Sequence, residues 1–95
     1  MFQNSRYLTR GVHYTLPSWL VLLLWSLIDR IPDEQRDYLQ VFRLTHTGTG
    51  QHIAHSQEQP PYSYEMNIPC DDAITAKIFV IDDQTHSTML LAEEY

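Results

Sequence analysis

Ninety-five residues, 43% of them apolar and 12% aromatic, fit one globular domain, 1–95, with enough bulk for a core. Twelve carboxylates against six Lys and Arg give a formal charge of −6, which speaks against nucleic acid or an anionic membrane as partner, since both need clustered cations. A single cysteine, Cys70, permits no intrachain disulfide and suits a reducing compartment.

Met1 to Arg6 lacks the basic start and adjoining apolar stretch of a secretory signal, so a cytoplasmic location is expected. Tyr7 to Tyr14 is rich in aromatic and β-favouring residues and predicts extended chain, with Gly11 at a bulge or close approach. Trp19 to Ile28 is an almost unbroken apolar block of ten residues. A membrane span needs about 20, so the block predicts a buried core helix. Pro17 suits its first position, or Ser18 its N-cap, and Pro32 should stop it near Arg30 or Ile31. Asp33 to Asp37 reads as a charged connection.

The rest predicts sheet. Tyr38 to Thr45 is apolar on both faces, as in a central strand, and Thr47-Gly48-Thr49-Gly50 turns it into a return arm, Gln51 to Ser56. Pro60-Pro61 marks a rigid connection. Tyr62, Tyr64, Met66 and Ile68 alternate with polar residues, the pattern of a half-buried strand. Thr75 to Ile81 and Ser87 to Ala92 predict a last hairpin around Asp82-Asp83-Gln84-Thr85. Its faces are expected to be Ile78, Val80, Leu90 and Ala92 on one side and Phe79, Ile81, Met89 and Leu91 on the other, each covered. The expected fold is α+β: one main helix packed on an antiparallel sheet of about five strands.

At 100° per residue, Leu20, Leu23, Leu24, Leu27, Ile28 and Ile31 form one helical stripe, enough to cover a sheet. Trp19, Leu22 and Trp25 share the other side with Ser18, Ser26 and Asp29, which points that side outward. Exposed apolar patches often mark interaction sites, so these three residues are the expected interface with a protein partner or a second copy.

Chemistry-bearing residues are sparse. His52 and His55 are three apart, which on a strand sends them to opposite faces, and no metal or other cofactor is expected. Asp82, Asp83, His86 and Ser87 contain the residue types of an acid–base–nucleophile relay, but crowd one turn where aspartate favours local backbone bonds. Asp71 and Asp72 beside Cys70 disfavour a reactive thiolate. Gly48 and Gly50 lack the following Lys-Ser/Thr of a phosphate loop.

Several longer strings resemble one family. They include Tyr7-Leu8-Thr9-Arg10-Gly11, Leu24-Trp25 with Ile28-Asp29, and Asp37-Tyr38-Leu39-Gln40-Val41-Phe42. His55-Ser56-Gln57-Glu58 with Pro60-Pro61-Tyr62, Thr75-Ala76-Lys77-Ile78 with Val80-Ile81-Asp82-Asp83, and His86 through Tyr95 extend the likeness over nearly the whole chain. In these the chain resembles domain-of-unknown-function family 960, small proteins of low-GC Gram-positive bacteria and their phages. The resemblance implies a phage or host-accessory setting and carries no activity, ligand or catalytic residue. The expected function is a non-catalytic interaction or regulatory module. The alternative is a small enzyme or ligand-binding protein using Asp82, Asp83 and His86.

Overall fold

The computed structural model describes all 95 residues and contains six strands and two helices. The strands are β1 (Ser5–Leu8), β2 (Leu39–Thr47), β3 (Gly50–Gln57), β4 (Tyr62–Pro69), β5 (Ala76–Asp82) and β6 (His86–Leu91). The helices are α1 (Arg10–Thr15) and α2 (Ser18–Asp29), and single 3₁₀ turns cover Asp33–Gln35 and Ala92–Glu94. One sheet runs in the order β1-β6-β5-β2-β3-β4. It is antiparallel except that β1 runs parallel to β6, with Tyr7 opposite Thr88. The fold is α+β as expected, but the sheet is mixed and six-stranded, and a short second helix joins the main one.

That second helix replaces the extended chain expected through Tyr14. The Thr9 hydroxyl caps it by accepting from the Val12 N–H. Glu94, more than 80 residues on, accepts from the Thr9 hydroxyl and the Gly11 N–H. Propensity alone would not have put a helix there; distant contacts hold it. The main helix stops at Asp29, close to the expected end before Pro32, but its start differs by one residue from either expected cap: Pro17 is the N-cap, without a side-chain hydrogen bond, and Ser18 the first helical residue.

Elsewhere the strands begin and end within one or two residues of the expected spans. At the β2–β3 turn the Thr47 hydroxyl accepts from the Thr49 and Gly50 N–H groups and donates to the Gly50 carbonyl. Gly50 sits at φ 156°, where a Cβ would lie 2.1 Å from the Ile68 carbonyl oxygen. Only glycine lets β4 come that close. The last hairpin pairs Val80 with Met89 and Phe79 with Leu90. This is one residue off the expected pairing, so Met89 and Leu91 share a face with Ile78 and Val80, while Leu90 joins Phe79 and Ile81.

Both helices lie on one face of the sheet. Leu20, Leu24, Leu27 and Ile28 of α2 and Val12 of α1 pack with Phe42, Leu44, Ile53, Ile78, Val80 and Met89 into one core. Phe2 belongs to that core too, held by its N–H to Asp82 Oδ2 at 2.6 Å. No helix is long and apolar enough to cross a membrane.

Candidate functional site

The polar cluster at the β5–β6 turn is built into the fold. Asp82 is buried and accepts from the Phe2 and Gln84 N–H groups and the Asn4 amide. Burial works to raise its pKa, but those hydrogen bonds outweigh it and hold the carboxyl below its ordinary value. Asp83 Oδ1 accepts from the Thr85 hydroxyl and the Thr85 and His86 N–H groups, which closes the turn and pulls its pKa down to about 2. Ser87 is buried and donates to Asn4 Oδ1 rather than facing a base. These groups spend their polar atoms on one another and on the N-terminal segment, and no relay converges on open space.

The histidines separate. His52 lies on the helix-free face, 3.0 Å from both Asn67 Oδ1 and Glu65 Oε1. His55 points into the core, stacked on Phe42 at 4.3 Å, with Nε2 2.7 Å from Gln40 Oε1. Gln40 in turn donates to Gln57 Oε1 and the Asp37 carbonyl. A carbonyl oxygen only accepts, so the ring proton sits on Nε2 and Nδ1 is left buried with no partner. Desolvation lowers the His55 pKa to about 4. Sequence reasoning missed this buried row because glutamines on a strand read as surface residues. No group of three His, Cys, Asp or Glu side chains is placed to hold a metal ion.

The outward side of α2 differs from expectation at Trp25. That ring is only 8% exposed, because the Arg6 guanidinium lies 4.8 Å over it, fixed by Asp29 and the Phe2 carbonyl. Trp19 is half-buried and donates from Nε1 to Asp72. Leu22 alone stands clear at 70% exposure, beside a shallow groove of about 240 Å³ lined with Leu8, His13 and Leu16. The structure does not gather Trp19, Leu22 and Trp25 into one patch.

A broader apolar surface lies on the other face of the sheet, which no helix covers. Leu39 pairs with Ile81 and Val41 with Phe79, so these four half-buried side chains form a continuous patch across β2 and β5, and Leu90 of β6 lies buried beside Phe79. Tyr95, 83% exposed, meets Phe79 edge-on at 5.7 Å. On the same face β3 and β4 present Ala54, Ser56, Ser63, Glu65 and Asn67, the polar pattern of a strand facing water. The sheet is therefore wet-faced on one half and core-like on the other. The expected apolar second face of the hairpin exists, but only the C-terminal tail reaches over it.

A groove of about 440 Å³ crosses this patch. Val41, Leu39 and Phe79 form its floor, Arg43 and Lys77 stand at one end, and Asp37 and Glu58 at the other. Arg43 and Lys77 face each other directly across β2 and β5, and neither side chain has an ion pair or hydrogen bond within the chain. Lys77 Nζ rests 5.4 Å from the Phe79 ring. Two like charges directly opposed on a sheet repel.

One helical layer on one side of a six-stranded mixed sheet defines the architecture, and a half-apolar open face defines its most unusual surface. The DUF960 family model, described as a staphylococcal protein of unknown function, matches residues 5–94, and the chain belongs to that family. Among solved structures it is similar to a protein of unknown function from Enterococcus faecalis, 28% identical, with a TM-score of 0.78 over 97% of this chain and 91% of that one. No curated protein matches the chain in sequence.

Proposed function

We propose that this protein is a non-catalytic interaction module that docks a protein partner on the uncovered apolar half of its sheet. The observation that carries the reading is the contrast within one face: Leu39, Val41, Phe79 and Ile81 point outward from the same sheet whose β3 and β4 point serine, glutamate and asparagine outward. Strands left to water alternate apolar and polar side chains, and β2 and β5 do not. The engagement of Asp82, Asp83 and Ser87 in the fold supports a role without catalysis. The lone Cys70 supports a cytoplasmic setting.

A photo-crosslinking amino acid placed at Val41 and, in a second variant, at Asn67 tests this in cells that make the protein. Adducts from position 41 and none from position 67 are the expected result. Position 41 giving none would remove the reading. A second reading, docking through α2, is favoured by the exposure of Leu22 beside Leu8 and Leu16. Adducts from position 22 in place of 41 would move the interface there.

A further inference from the structure

The charge pattern of the groove points to a second copy of this chain as its occupant, packed sheet against sheet about a twofold axis. This rests on the interaction reading above and goes on to name the partner. Four charges line the groove and none is neutralised by another: Arg43 and Lys77 at one end, Asp37 and Glu58 at the other, with apolar floor between. Asp37 holds the acidic end together by accepting from the Glu58 and Gln59 N–H groups. The span from Leu39 to Arg43 alone separates the ends by about 13 Å.

Consider a twofold axis between two such sheets, perpendicular to the strands. It reverses strand direction and brings the basic end of each copy over the acidic end of the other, twice per dimer. Leu39, Val41 and Phe79 of the two copies then meet in the middle. Aligned sheets about 10 Å apart are an ordinary packing, and the product is a four-layer sandwich with helices outside. A dipolar surface of this kind is self-complementary, which an isologous interface demands. A typical stable interface hides about 800 Å² per partner, roughly one seventh of the 5640 Å² surface of this chain. The opposed Arg43 and Lys77, repulsive in the monomer, gain carboxylates in the dimer. On a chain with only six Lys and Arg, placing two of them unpaired in one groove selects for an acidic surface, and the same groove supplies one.

Sedimentation equilibrium on the wild type, on Arg43→Glu/Lys77→Glu, on Glu58→Lys, and on an equimolar mixture of the two variants tests this, with circular dichroism confirming folding. The wild type is expected to dimerise at about 100 μM protein. Each variant alone should dissociate with a Kd raised at least tenfold, and the mixture should re-form a heterodimer because one of its contacts is then the wild-type pairing and the other sets the introduced lysine, beside Asp37, against the two introduced glutamates. If the double variant does not fold, Glu58→Lys alone must still weaken the dimer. A wild type that stays monomeric overturns the second copy as partner, whereas crosslinks from position 41 to a different protein would then keep the surface reading. Folded variants that dimerise as tightly as wild type, or that fail to re-associate when mixed, overturn the charge-paired arrangement.

Discussion

Lowering the pH from 7 to 5 should cost the fold about 2 kcal/mol through His55 alone. In the folded chain the ring is neutral, with Nε2 bound to Gln40 and Nδ1 sealed from water. Adding a proton at Nδ1 would bury an unpaired charge, which is why burial lowers the pKa from 6.5 to about 4. The unfolded chain therefore takes up a proton between pH 6.5 and 4 that the folded chain refuses, so stability falls as pH falls through that window. The full shift is worth about 3 kcal/mol, and about 2 of that has been lost by pH 5. Urea unfolding followed by tryptophan fluorescence at pH 7, 6 and 5 reads it as a falling midpoint. In His55→Gln an amide can still donate to Gln40, and the pH-dependent part of the slope should shrink by that amount. A variant with the same slope as wild type between pH 6.5 and 5 would refute the assignment.

Gly50→Ala should destabilise the domain by on the order of 3 kcal/mol, since its Cβ meets the Ile68 carbonyl at 2.1 Å, whereas Gly48→Ala, with open space around it, should stay within about 0.5 kcal/mol; melting temperatures separate the two. Trp25→Glu should lose on the order of 3–5 kcal/mol because that ring belongs to the core, while Leu22→Glu should leave circular dichroism and melting nearly unchanged. Asp82→Asn should free the first residues of the chain and cost about 1–3 kcal/mol, read as faster hydrogen exchange at the Phe2 amide. The carboxyls of Asp82, Asp83 and Glu94 are held below their ordinary values, so their stabilisation is present above about pH 4 and lost below it. Acid unfolding of wild type should therefore steepen again below the window that belongs to His55.

Local patterns made much of this fold legible. Tyr62, Tyr64, Met66 and Ile68 alternate because β4 has one wet face, and Pro17 and Pro32 bracket α2 by chemistry that needs no tertiary context. What stayed hidden depends on distant partners. The α1 segment reads as extended from local sequence because Glu94, which clamps its start, lies more than 80 residues away. Trp25 was expected to be exposed because nothing near it in sequence shows that Arg6 folds over it. The faces of β6 depend on a one-residue register, which the Asp83 turn decides and hydrophobicity alone does not. The candidate surface was half legible: the apolar second faces of Tyr38 to Thr45 and Thr75 to Ile81 were visible, but not that no helix would cover them. The opposed Arg43 and Lys77 needed the β2–β5 register, which only the folded chain provides.

Copies of this chain should meet at the open half of the sheet and not at α2. Methyl-labelled protein with a soluble gadolinium chelate reports both surfaces at once as concentration rises. The methyls of Leu39, Val41 and Ile81 should be strongly relaxed in dilute protein and become shielded near 100 μM (about the range of weak specific association), while Leu8 and Leu22 stay relaxed throughout. Shielding of Leu8 and Leu22 with no change at Leu39, Val41 and Ile81 would contradict the account.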